Sequence, residues 1–139
     1  MGETLRMDTQ QGTEQRKRVL VADDEASVLL LLRVNLPLSG FEVVEATDGE
    51  GALALARDQK FDLIVLDVMM PRMSGFEVAE LLRAERGSST APIVFISARA
   101  DKADVARGLE LGAVDYVTKP FDPVAIGERL SALIDGGGA

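Results

Sequence analysis

Cysteine and histidine are both absent from this 139-residue chain. Their absence removes disulfides, thiolate zinc sites, a cysteine nucleophile and an imidazole base, so any chemistry must rest on carboxylates, lysine, hydroxyls and a hard metal. Long apolar runs are missing as well. The densest, Val28 to Leu32, is bounded by Asp24, Glu25 and Arg33, far short of the roughly 20 residues a membrane-spanning helix requires. It reads as a core helix, and no membrane association is expected. Residues 1–15 are polar, without the basic start and apolar stretch of a signal peptide. A disordered arm over residues 1–16 and cytoplasmic residence are the resulting expectations. Positive charge is in deficit: 15 Lys and Arg stand against 23 Asp and Glu, a net charge of -8. Such a field repels nucleic-acid phosphates and anionic membranes and favours cations or basic partner surfaces, so direct nucleic-acid binding is not expected.

What is present suffices for one packed core. At 47% hydrophobic content the chain is long enough for one domain, expected over residues 17–135, and too short for two ordinary ones. A flexible glycine tail is expected over residues 136–139. Between these ends, short apolar or β-branched runs alternate with longer segments of helical period, the pattern of a parallel sheet with helices on both faces. The expected strands are Val19 to Ala22, Phe41 to Ala46, Leu63 to Leu66, Ile93 to Ile96 and Tyr116 to Thr118. Most are nearly continuously apolar, as strands buried on both faces are, whereas Phe41 to Ala46 is mixed and suits an edge.

Helix starts are signalled by two capping-box patterns, Ser74-Gly-Phe-Glu77 and Thr47-Asp-Gly-Glu50, and by Asp122 before Pro123. Gly40, Gly87 and Gly112 mark helix stops, and Pro37 indicates an early end to the first helix. The last helix carries a plain core stripe of Ile126, Leu130, Leu133 and Ile134. The fourth has few large apolar anchors, Val105, Leu109 and Leu111, and should be weakly held. The first has apolar residues on more than one face, from Val28 to Leu32 with Val34 and Leu36; tight packing is the reading preferred over a docking surface.

Ligands of open α/β sheets bind beyond the carboxyl ends of the strands, where the chain order reverses. Asp23 and Asp24 follow the first strand, Asp67 the third, Ser97 the fourth and Lys119 the fifth. Singly, each has a bland reading: an Asp or Ser after a strand is often a turn or cap, and most lysines lie along the surface. Jointly they differ. In the order 2-1-3-4-5 expected of such a doubly wound sheet, the first and third strands are neighbours and three carboxylates converge. A pair of like charges near 4 Å costs about 4 kcal/mol at an effective dielectric of 20. A divalent hard cation offsets that, and Mg²⁺, which binds through one or two carboxylates plus a phosphate, is the natural candidate. A carboxylate with a raised pKa and no metal is the structural alternative. Lys119 is placed to pair with Asp67 at rest and with a phosphoryl oxygen later.

In that order these residues resemble the receiver domain of two-component response regulators. The resemblance rests on Val19-Leu-Val-Ala-Asp23-Asp24-Glu, Leu63-Ile-Val-Leu-Asp67-Val-Met-Met-Pro71, Ser74-Gly75, Ile96-Ser97-Ala98 and Asp115-Tyr116-Val-Thr-Lys119-Pro120-Phe121. It implies a flavodoxin-like five-stranded parallel sheet in the order 2-1-3-4-5. It also implies Asp67 as phosphoacceptor, Mg²⁺ held by Asp24, Asp67 and the Met69 carbonyl with Asp23 in support, and Lys119 holding the phosphoryl group. Ser97 and Tyr116 would form a switch pair that re-forms the surface of the fourth helix, fifth strand and fifth helix, and the Lys119–Pro120 bond is expected to be cis. The phosphohistidine donor, a sensor histidine kinase or a phosphotransfer protein, would be another chain because this one lacks histidine. Such a domain promotes only its own phosphorylation and dephosphorylation.

Two other readings fit less well. A haloacid dehalogenase-type Mg²⁺ phosphatase also uses a strand-end aspartate, but typically carries a second Asp two residues on, where this chain has Met69. A receiver-like binding module that is never phosphorylated would usually lack part of the acidic cluster or the lysine.

Overall fold

The computed structural model describes residues 16–138. Most of the expected N-terminal arm lies outside the described residues. The order of elements is β1 (Lys17–Ala22), α1 (Ala26–Asn35), β2 (Phe41–Ala46), α2 (Gly49–Asp58), β3 (Leu63–Asp67), α3 (Gly75–Arg86), β4 (Ile93–Ser97), α4 (Lys102–Glu110), β5 (Asp115–Thr118) and α5 (Pro123–Gly138). Short 3-10 turns follow α1 at Leu36–Ser39 and α3 at Gly87–Ser89. All strand pairs are parallel and the sheet runs β2-β1-β3-β4-β5, with β2 at an edge as its mixed sequence indicated.

Alternate residues of each strand feed opposite faces of the sheet. Leu20, Ile64, Leu66 and Phe95 pack with Ala52, Leu53, Val78, Ala79 and Leu82 of α2 and α3 on one side. Val19, Val21, Val65, Val94 and Val117 pack with Val28, Leu29 and Leu32 of α1 and with Ile126 and Leu130 of α5 on the other. Every residue of β3 and β4 is buried. That explains their unbroken apolar sequence and places the core around the strands that end at the candidate site.

Several helix ends match the sequence signals. Ser74 accepts from the Glu77 N–H while Glu77 reaches back to the Ser74 N–H, a full capping box. Asp122 accepts from the N–H groups of Val124 and Ala125. Gly40, Gly87 and Gly112 all have positive φ, and α1 gives way at Asn35 to the turn containing Pro37.

Three expectations need correction. The cap of α2 is Asp48, whose carboxylate accepts from the Gly51 N–H; the helix starts at Gly49, one residue later than a Thr47 cap requires, so Glu50 falls too early in it to complete the expected box. Helix α5 continues through Gly138, so the glycines expected to follow it belong to it. The first helix is packed on one face only: Val28, Leu29, Leu32 and Leu36 are buried, but Leu30 and Val34 are 49% and 57% exposed. The sheet offers α1 one contact stripe, and apolar residues outside that stripe face solvent. Among the described residues, no helix is long and apolar enough to cross a membrane.

Candidate functional site

The site is assembled by register. Ala22 pairs with Leu66, so Asp23 and Asp67, the next residues on β1 and β3, emerge side by side. Ser97 ends β4 opposite Thr118 of β5, and the Lys119 N–H donates to the Ser97 carbonyl at 2.8 Å. Asp23, Asp67 and Ser97 are the buried polar side chains of the described residues, at 0%, 2% and 0% exposure. Polar groups kept this dry are expensive unless paired.

The turn after β1 is held by Asp23 itself, whose Oδ1 accepts from the Glu25 N–H at 2.8 Å. Its other oxygen faces Lys119 Nζ at 2.8 Å. The same ammonium reaches Glu25 Oε1 at 2.8 Å and Asp67 Oδ1 at 3.4 Å. Asp67 Oδ1 also accepts from the Met69 N–H at 3.2 Å. Beyond β3 the chain turns sharply into α3, and the Gly75 N–H donates to the Val68 carbonyl at 3.2 Å. A Cβ on Gly75 would overlap the Asp67 carbonyl oxygen, so only glycine lets the start of α3 lie against the end of the strand.

Three carboxylates therefore share one ammonium, and their local charge does not balance. Burial, reinforced by the neighbouring charge of Asp23, pushes the Asp67 carboxyl up to about 7 despite the opposing pull of Lys119 and the Met69 N–H. Burial also disfavours the Lys119 ammonium, but its bonds to Asp23 and Glu25 and the charge of Asp67 outweigh that and hold it well above the ordinary lysine range. Single oxygens of Asp23, Glu25 and Asp67 lie within 4.8 Å of one another. Asp23 Oδ2 is buried and receives no aligned hydrogen bond. A hard divalent cation fits this donor set: it would satisfy that oxygen and remove the repulsion that lifts Asp67.

Of the residues singled out from sequence, Asp23, Asp67 and Lys119 meet directly, and Ser97 is buried at the neighbouring strand end. Asp24 is exposed and lies outside the carboxylate group, whereas Glu25, given no role from sequence, takes part in it. The signal for Glu25 was the third acid of the run, which the Asp23 turn folds back toward Lys119. Arg99 was also missed. Its N–H donates to Ser97 Oγ at 3.0 Å, and its guanidinium spans from Met69 Sδ at 3.8 Å to Asp104 Oδ2 at 3.3 Å. The Tyr116 hydroxyl donates to the Arg99 carbonyl, tying β5 to the loop before α4. Burial and the nearby Asp104 and Asp101 raise the Tyr116 phenol, so it stays a donor at neutral pH. The Lys119–Pro120 bond is cis.

Residues 19–131 match the response regulator receiver domain family. The chain belongs to that family. A receiver with this geometry has relatives of known name. The chain is 47% identical over 118 residues to the alkaline phosphatase synthesis transcriptional regulatory protein PhoP of Bacillus subtilis, covering 85% of this chain and 48% of that protein. It is 43% identical over 119 residues to the DNA-binding response regulator MtrA of Mycolicibacterium paratuberculosis, covering 86% and 52%. The chain thus spans about half the length of the curated relatives it matches. Among solved structures, the receiver domain of Francisella response regulator 1452 aligns with TM-score 0.80 at 31% identity, over 88% of this chain and 99% of that one. A CheY-like receiver domain from Methanospirillum hungatei aligns with TM-score 0.81 at 26% identity, over 89% and 98%.

Proposed function

We propose that this receiver is a phosphorylation-activated signalling switch in which Asp67 accepts a phosphoryl group from a phosphohistidine donor. The observation that carries the reading is the buried Asp67 at the end of β3, beside Asp23 and within 3.4 Å of the Lys119 ammonium. An Asp67 oxygen forms the new bond to phosphorus as the phosphorus–nitrogen bond of the donor breaks and the imidazole leaves with that electron pair. Transfer of this kind asks the protein mainly for positioning and charge neutralisation. Lys119, paired with carboxylates now, supplies a cation for a phosphoryl oxygen. The Ser97 hydroxyl, at the same strand edge, supplies a hydrogen bond.

Mg²⁺ is the cofactor this reading requires; Asp23 and Asp67 would hold it, joined by Asp24 and the Met69 carbonyl. When bound it neutralises charge on the carboxylates and the transferring group. The chain's own part is to hold the oxygens ready and dry, and to release Glu25, the exposed member of the group, from the ammonium. Ser97 turns toward the phosphate while the Tyr116 ring turns inward, and the surface of α4, β5 and α5 carries the change outward. The donor is a sensor histidine kinase or a histidine phosphotransfer protein. The names of the relatives and the span of the match are consistent with a DNA-binding effector elsewhere in a longer protein, while the acidic domain itself has no nucleic-acid role.

Intact mass after incubation with acetyl phosphate and Mg²⁺ tests the proposal. One added phosphate is expected, absent from Asp67→Asn and from the metal-free control. Failure both to gain phosphate and to bind beryllofluoride would leave the unphosphorylated binding module as the better reading.

A further inference from the structure

A cavity of about 380 Å³ opens at the amino end of the sheet, where the chain leaves α2 for β3 and α3 for β4. Asp67 lies at the other end of β3, so this space is separate from the acidic edge. Its floor is apolar: Ala56, Ile64 and Leu82 are core residues beneath α2 and α3, and the half-buried Phe61 adds a wall. The Arg18 guanidinium lies 5.0 Å from the Phe61 ring centroid and steadies that wall. Ala56 and Ala91, whose side chains end at Cβ, leave the space between the two helix ends unfilled. Its size falls at the lower end of the range that small ligands occupy, from about 300 Å³ upward.

The rim is basic in a chain whose net charge is -8. Lys60 is exposed and Arg86 half-buried, and among the described residues neither is in an ion pair. The nearby acids are engaged elsewhere, Glu42 with Arg18 and Glu85 with Arg57, although Glu85 still feels the charge of Arg86. Arg86 donates one N–H to the Arg57 carbonyl at 2.9 Å, which satisfies the last turn of α2. That bond uses only part of the guanidinium and explains neither the second cation nor the apolar space. Gln59 spends its Oε1 on Arg18 at 2.7 Å, leaving its amide N–H groups as donors.

We propose that this cavity binds a small apolar carboxylate, with an aromatic or branched aliphatic body on the floor and its charged end at Arg86 and Lys60. Covering Ile64, Leu82 and Phe61 removes apolar surface from water. The planar guanidinium matches a carboxylate with two parallel N–H groups, and the Lys60 ammonium adds charge. A cationic ligand of the same shape meets like charge at the mouth. An inorganic or nucleotide phosphate finds no polar partner on the floor.

Titration of the isotope-labelled full chain with phenylacetate, followed through amide chemical shifts, tests the site. Saturable shifts are expected at residues 56–61 and 86–91. Half-saturation should come at or below about 5 mM, the weak limit for a ligand of about ten non-hydrogen atoms and ordinary efficiency. Phenylethanol, similar in shape but uncharged, should bind at least about threefold more weakly, and phenethylamine more weakly still. Lys60→Gln combined with Arg86→Gln should erase the preference for the carboxylate while leaving phenylethanol as before. Ala91→Leu, which fills the space, should abolish both. Should Arg86→Gln disturb the end of α2, Lys60→Gln alone decides: its ammonium is exposed, and its loss should weaken phenylacetate by about twofold without altering phenylethanol. Absence of saturable shifts, shifts centred on Ser97 and Lys119 instead, or equal affinity for alcohol and carboxylate would overturn the proposal. So would a preference that survives loss of the rim cations.

Discussion

Lys119 Nζ lies 2.8 Å from Asp23 Oδ2 but 3.4 Å from Asp67 Oδ1. The ammonium is thus bound more closely by the supporting carboxylate than by the proposed acceptor. Burial, together with the incompletely compensated charge of Asp23, raises the Asp67 pKa and suits it to receive a cation. Removing the ammonium should expose that imbalance. Lys119→Met is expected to lose about 2 kcal/mol of stability in Mg²⁺-free buffer near pH 8, since it strands two buried carboxylates. It should also take up phosphate from acetyl phosphate at least about tenfold more slowly. Denaturant unfolding and intact mass check the two effects; unchanged stability would mean that the carboxylates are not held by Lys119.

The pH dependence of stability follows from Asp67. Its carboxyl sits near 7 in the folded chain against an ordinary value of 3.8. Between those values the folded state holds a proton that the unfolded state has released, so stability falls as pH rises from about 4 to about 7. Asp67→Asn removes that slope and should be more stable than the unmodified chain at pH 8 without metal, by about 2 kcal/mol. Mg²⁺ should narrow the gap. Unfolding curves at pH 5 and pH 8 measure it, and parallel profiles for the two proteins would argue against a raised Asp67.

The junction between β3 and α3 should be intolerant at Gly75 and forgiving at Ser74. Ser74→Ala deletes one side of the capping box and should cost about 1 kcal/mol. Gly75→Ala drives a methyl group into the Asp67 carbonyl oxygen and should cost about 3 kcal/mol or more, with loss of phosphate uptake. Equal costs would mean that the backbone relaxes freely there.

The two faces of α1 should respond differently to truncation. Leu32 is fully buried, and Leu32→Ala is expected to cost about 3 kcal/mol. Val34 is more than half exposed, and Val34→Ser should stay within about 0.5 kcal/mol. A large penalty at Val34 in thermal melts would mean that this face is covered in solution.

The strands, their parallel order and the acidic edge were legible in the chain itself. Leu63 to Leu66 and Ile93 to Ile96 are apolar at every position, which only a strand buried on both faces requires, and the reactive residues follow the strands directly. Local caps such as Ser74 with Glu77 were legible for the same reason: partners three residues apart act within one turn.

Tertiary structure decided which acids share the site and how α4 is held. Asp24 and Glu25 are indistinguishable as letters, yet the Asp23 turn exposes one and returns the other to Lys119, 94 residues away in sequence. Thr47 has the right spacing for a capping box, but Asp48 takes the cap and the helix starts at Gly49, packed against the Met73 carbonyl. Gly108 looks like a helix-weakening residue until Phe95 and Tyr116 are placed beneath it. Periodicity and composition record what each segment does with its near neighbours; which charge meets which, and which ring lies under which helix, depends on contacts that exist only after the sheet has closed.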